Sequence, residues 1–405
     1  MTLVGMRGAV SALGVLAIAS CGTGARQDNI ETVAAGNAYQ AQYRPLEARS
    51  EVVALQSPSI NAAKCLPFAG GSQGGKLGGR THPALRGELL SRGDLVDVRL
   101  PDDTTFTGEY VVSRDGRIKL PYLPAIAAEG RTARQVSADI RRALIAGGYY
   151  DIEPDISLLV MDFATASIGV SGAVFDPQGV SIGGVQGDQL DSRRQAALGA
   201  STEGRNLSAA LRGAGGVRPD ADLSAVRITR AGTNYIVDLR GALDGYNYDD
   251  VMLLNGDEIY VPSRQCFQDD LMRPSPVSPP GVSLYLSNLT QPATGNAPSA
   301  IGQTVREVPY GTRYIQAVVD ANCVGGARAT SANRSAALFS RNPVSGVSVV
   351  VERRIEEMRS RADRDDYDPY VLPGDAIACY DSGTTNLGEV GRLLGIFTAA
   401  AVIIP

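Results

Sequence analysis

Arg92-Gly93-Asp94-Leu95-Val96-Asp97-Val98 is the stretch that decides how this chain is divided. Its glycine supplies the positive φ of a tight turn, and its aspartate can bond back onto the turn's own backbone. The residues that follow alternate apolar and polar, the pattern of a half-buried strand. The phrase returns as Asn255-Gly256-Asp257-Glu258-Ile259-Tyr260-Val261 and again as Pro373-Gly374-Asp375-Ala376-Ile377-Ala378-Cys379. A lone Gly-Asp turn means little. Three of them, two preceded by matching helical segments, predict a modular chain of small domains.

Around the first phrase lies the densest patterning, over residues 86–163. Strand patterns fall at 95–100, 107–112, 117–120 and 156–161, and Asp115-Gly116 predicts a hairpin between the second and third. Thr132 with Gln135 is a capping box, and Val136, Ile140, Ala143 and Leu144 form the apolar stripe of a helix that Gly147-Gly148 stops. Gly93-Asp94, then Val112-x-x-Asp115-Gly116-x-Ile118-x-Leu120-Pro121-x-Leu123, then Gly130-x-Thr132, resemble the polysaccharide-export signature domain of the outer-membrane polysaccharide export family. Pro124 stands where that family usually carries glycine.

Residues 164–265 read as a second module. Val170-x-Gly172-x-Val174 with Pro177 and Gly179 resembles the opening strand of a β-grasp module of the soluble-ligand-binding type (SLBB), with Gln178 intervening where the family more often has Pro-Gly. Asn206 is placed to cap a helix with the stripe Leu207, Ala210, Leu211 and Ala214, ended by Gly215-Gly216. Residues 266–383 repeat this pattern more loosely. Tyr314, Ile315, Val318 and Val319 sit on its helix, Gly325-Gly326 ends it, and 347–351 is a β-branched strand. The pair predicts an internal duplication. The fold class expected is therefore α+β and multidomain, with the export signature domain followed by two β-grasp-like modules and a C-terminal helix. Asp363, Asp365, Asp366 and Asp368 form an acidic cluster that lacks the glycine and distal glutamate of a calcium loop, and reads as a solvated turn.

The two ends carry addresses of their own. Residues 1–20 have the positive and apolar regions of a signal peptide, and Ile18-Ala19-Ser20-Cys21 resembles the lipobox of bacterial lipoproteins. That resemblance implies cleavage before Cys21, lipidation of Cys21, and, with Gly22 following, an outer-membrane address. Residues 21–85, rich in Gly, Ala, Ser and Gln, read as a flexible tether. In 384–405, Leu387, Val390, Leu394, Phe397 and Ala401 fall at helical spacing, and a helix of about 20 residues reaches roughly 30 Å, the thickness of a hydrocarbon core. The resemblance implies a membrane helix here; packing back onto the third module or a neighbouring subunit is the other reading.

Composition excludes several function classes. The net charge of −5 leaves no basic footprint for nucleic acid. Only one histidine is present, His82, in a polar Gly/Pro stretch, and no nucleophile elbow, metalloprotease helix or phosphate loop occurs. Nothing calls for a cofactor, a metal or an enzymatic activity. Beyond Cys21, four cysteines in an oxidising compartment predict two disulfides, with Cys323–Cys379 favoured because both lie in one module, leaving Cys65–Cys266.

The family resemblance implies a non-catalytic transport component, lipid-anchored in the outer membrane with its modules mainly in the periplasm. Its substrate would be an exopolysaccharide or capsule polymer. Its partners would be copies of itself in a homo-oligomeric ring (octameric in the best-known relatives), outer-membrane lipid, and an inner-membrane polysaccharide co-polymerase. A periplasmic adaptor or glycan-binding lipoprotein without a pore is the alternative. A carboxylate-based glycan hydrolase or transferase ranks third.

Overall fold

A computed structural model describes residues 65–71, 81–183, 204–288, 304–321, 323–324, 334–344, 346, 348–355, 358 and 368–380. The described residues divide into two compact units, one from 65 to 280 and the other from 281 to 380. Both combine helices with sheets, so the architecture is α+β and multidomain.

In the first unit, β1 (Leu95–Arg99) lies between β2 (Gly108–Val111) and β5 (Ser157–Asp162), antiparallel to both. Helix α1 (Ala133–Ala146) begins where Thr132 and Gln135 bond reciprocally, Gln135 N–H to Thr132 Oγ1 at 3.3 Å and Thr132 N–H to Gln135 Oε1 at 3.0 Å. Its buried face is Val136, Ile140 and Leu144, which joins Val96, Val98 and Ile118 in one core. Burying such side chains contributes about 1.5–3 kcal/mol each.

The hairpin expected at Asp115-Gly116 does not form. The turn is present, with Gly116 at φ 73° and its N–H donating to Ser113 O at 2.8 Å. However, β2 pairs with β1, while β3 (Arg117–Ile118) pairs with β4 (Ile126–Ala127). Gly116 O accepts from both Ala128 N–H and Glu129 N–H, at 2.9 and 3.0 Å, so the turn is clamped from the side instead of propagating a ladder.

A five-stranded mixed sheet follows. Its strands are β6 (Ala166–Gly172), β7 (Gln178–Ile182), β8 (Val226–Arg230), β9 (Thr233–Val237) and β10 (Glu258–Val261), in the spatial order β7-β6-β10-β8-β9. First and last strands run parallel, and every other pairing is antiparallel. Helix α2 (Leu207–Gly213), capped by Asn206, buries Leu207, Ala210 and Leu211 against Ile168, Val180 and Ile228. A single turn, α3 (Gly241–Asp244), follows β9.

The second unit repeats this topology. β11 (Val282–Asn288), β12 (Thr304–Val308), β13 (Ser335–Arg341), β14 (Ser348–Arg354) and β15 (Ala376–Tyr380) lie in the order β12-β11-β15-β13-β14. β15 is parallel to β11, and helix α4 (Tyr314–Asp320) buries Tyr314, Ala317 and Val318. Numbered within each copy, both sheets read 2-1-5-3-4 with the helix between strands 2 and 3.

Two expectations need correction. Residues 266–280, assigned by sequence to the second repeat, belong to the first unit. Phe267, Leu271 and Val277 are buried there, and Val217 N–H donates to Val277 O at 3.0 Å. The 21–85 segment is not a tether where it is described. Residues 65–71 are bonded to the loops around β8–β10, and Leu85 lies in the core of the first five-stranded sheet.

Candidate functional site

The three Gly-Asp turns share one construction. In each, the residue three before the aspartate donates its N–H to the carboxylate and receives the aspartate's own N–H. The pairs are Ser91 with Asp94 (2.7 and 3.2 Å), Leu254 with Asp257 (2.9 and 3.1 Å), and Leu372 with Asp375 (2.9 and 3.1 Å). Gly93, Gly256 and Gly374 sit at φ 90°, 85° and 86°, the left-handed region that only glycine enters freely. All three carboxylates are buried, so each needs further partners.

Those partners differ. Asp94 meets Arg205, whose Nη1 and Nη2 reach its two oxygens at 2.6 and 3.2 Å. The pair is fully buried, at 1% and 0% exposure. Arg205 also donates to Ala164 O and Leu89 O, both at 3.1 Å, and its guanidinium lies 4.8 Å from the Phe163 ring centre. Asn255 N–H adds a bond to Ser91 Oγ at 3.0 Å, so the first two turns touch. This cluster joins the β1 domain to the first repeat.

Asp257 is held by Arg230, with Nε and Nη2 at 3.0 and 2.6 Å from its oxygens. Among the described residues, no such arginine reaches Asp375. The register explains why. Glu258 pairs with Thr229 in the first copy, and Ala376 pairs with Phe339 in the second, so Ser340 occupies the place of Arg230. Burial pushes the Asp375 carboxyl up to about 7, against the Leu372 amide and the Ser340 hydroxyl, which favour its charged form.

A second aspartate recurs seven residues before each repeat's turn. Asp250 accepts from Ser208 N–H (2.9 Å) and Ser208 Oγ (2.6 Å) at the start of α2. Asp368 accepts from Ile315 N–H at 2.8 Å at the start of α4. Asp368 is buried, so the reading of it as part of a solvated turn is wrong; it satisfies an otherwise orphaned helix amide. Asp363, Asp365 and Asp366 lie outside the described residues. Desolvation raises the Asp250 carboxyl above its ordinary value. Asp250 borders an open cleft of about 730 Å³, lined also by Glu88, Arg86, Tyr248 and Asp249. Thr81 Oγ1 donates to Asp249 across it.

His82 caps the turn that follows it: its Nδ1 accepts from Ala84 N–H at 3.2 Å, and its ring lies 5.0 Å from Tyr235. The structure joins Cys65 to Cys266 and Cys323 to Cys379. Cys21 and the stripe Leu387, Val390, Leu394, Phe397 and Ala401 lie outside the described residues. Among the described residues, no group of three or more His, Cys, Asp or Glu side chains gathers to hold a metal ion. No described helix is long and apolar enough to cross a membrane. Arg205 and Arg230 went unnoticed in the sequence because their carboxylate partners lie 111 and 27 residues away.

Residues 83–161 match the family model described as "Polysaccharide biosynthesis/export protein", and this segment is a domain of that class. Among characterised proteins, the chain is similar to the EPS I polysaccharide export outer membrane protein EpsA of Ralstonia solanacearum. The two are 29% identical over 225 residues, covering 54% of this chain and 54% of the relative. The chain thus spans about half the length of the curated relative it matches.

Proposed function

We propose that this protein exports a polysaccharide, an exopolysaccharide or capsule polymer, from the periplasm to the cell surface as a subunit of an oligomeric outer-membrane ring. The observation that carries the reading is the export-class domain at 83–161, continuous through the Asp94–Arg205 cluster with a five-stranded repeat. The two 2-1-5-3-4 sheets are read as β-grasp modules of the soluble-ligand-binding type, stacked as layers around a polar lumen. Cys21 carries the lipid, because two or more acyl chains make a stable anchor. Leu387, Val390, Leu394, Phe397 and Ala401 form the outward face of a membrane helix contributed by each subunit. The protein hands polymer across the periplasm with an inner-membrane co-polymerase and performs no catalysis of its own.

Deletion of 387–405 tests this. Cells carrying the truncated chain are expected to lose surface polymer while the purified protein keeps both disulfides and its unfolding transition. Undiminished surface polymer in those cells contradicts the pore and favours an adaptor.

A further inference from the structure

Residues 65–71, Cys-Leu-Pro-Phe-Ala-Gly-Gly, lie along a groove whose walls come from three separate segments of the first repeat, before β8, after β9 and after β10. We propose that this groove is a peptide-recognition site, that its ligand is the chain's own 65–71 strap, and that Cys65–Cys266 is a latch on that binding and not its cause. The inference stands independently of the export reading.

Every residue of the strap's second half is read individually. The Phe68 ring sits with the Arg264 guanidinium 3.6 Å from its centre and that of Arg240 5.3 Å away, two cation–π contacts on one ring. Ala69 N–H donates to Asp222 Oδ2 at 2.8 Å, and Gly70 N–H to Ser224 Oγ at 2.9 Å. Gly71 O accepts from Arg240 Nη1 at 3.0 Å. A Cβ on Gly70 would come within 2.2 Å of Ser224 O, and Gly71 holds φ 92°, so both positions demand glycine. Leu66 adds a reciprocal pair with Arg264, through its N–H to Arg264 O and its O to Arg264 Nε, both at 2.9 Å.

The groove is organised by the repeat and not by the strap. Asp222 also accepts from Ser224 N–H and Oγ, at 3.0 and 2.6 Å. Asp238 holds Arg240 through Nε and Nη2, at 3.0 and 2.6 Å, and Gln268 Oε1 accepts from Arg264 at 2.6 Å. Asp222, Ser224 and Arg240 are buried, while Ala69, Gly70 and Gly71 keep an exposed side. A preorganised, buried polar floor beneath an extended segment with one aromatic anchor is the construction of a peptide site.

Disulfide exchange separates recognition from covalency. A full-length Cys65→Ser, Phe68→Ala chain leaves Cys266 free and weakens its own strap. It is incubated in a glutathione buffer with a labelled peptide of sequence CLPFAGG. The Cys266 thiolate attacks the peptide's glutathionylated cysteine, forming the Cys266–peptide disulfide and releasing glutathione thiolate. At equilibrium, the native peptide is expected to be retained roughly tenfold more than CLPAAGG or CLPFAAG, since losing a desolvated cation–π contact costs on the order of 1–2 kcal/mol. Equal retention of all three peptides overturns the proposal. As a check that needs no variant, hydrogen exchange on the wild-type chain reduced with a phosphine should leave the Ala69 and Gly70 amides protected. Exchange at the unstructured rate on reduction overturns it equally.

Discussion

At Asp257 and Asp375 the same residue in the same turn is neutralised in two ways, and the difference is measurable. Asp257 answers a partly buried arginine, so Asp257→Asn leaves Arg230 without its counter-charge and is expected to destabilise by about 2–3 kcal/mol. Asp375 faces Ser340 and keeps its proton to about pH 7 in the folded chain, against an ordinary carboxylate value when unfolded. Between those values the folded state binds the extra proton. This contribution to the stability of the second repeat, roughly 4 kcal/mol at most, is therefore full below about pH 4, is lost as pH rises from there to about 7, and is level above it. Hydrogen exchange of the β13–β15 ladder between pH 5 and 8, corrected for intrinsic rates, should show this slope in the wild type and a flat profile in Asp375→Asn. An unchanged slope in that variant assigns the titration elsewhere. At the domain junction, Arg205→Met strands Asp94 without its cation in a site with no water access, and is expected to cost about 3–5 kcal/mol in denaturant unfolding. Asp94→Asn combined with Arg205→Met should recover much of that loss, because the unpaired charge is gone.

At the scale of elements, local signals were legible and long-range ones were not. The Thr132–Gln135 box, the α1 stripe and the three Gly-Asp turns are short-range features, and each occupies its expected place. The failures all involve partners distant in sequence. Asp115-Gly116 has every local mark of a hairpin turn, yet Ala128 and Glu129 capture its carbonyl. Gly70-Gly71 reads as flexible by composition, although Gly70 is there because Ser224 leaves no room for a side chain and Gly71 because its backbone holds a positive φ. Asp368 sits in a charged run and reads as solvated, but a helix start 53 residues away buries it. The common 2-1-5-3-4 order depends on parallel pairing of first and last strands, which no periodicity announces.

At the scale of the whole molecule, two repeats of one topology follow a domain of the export class, and the first repeat does the joining. It receives the β1 domain through Arg205 and the 65–71 strap through Cys266. Under the proposed function this unit would be copied around an axis, since identical subunits favour a closed ring. Of the proposed function, the export domain was legible as the run from Gly93 to Thr132. The arginines that would hold its orientation were not, because their role exists only once the turns are brought together. The most direct measurement is electron microscopy of the full-length protein extracted from outer membranes in detergent. The account predicts closed rings of identical subunits with a central opening, and dispersed single copies under the same extraction would contradict it.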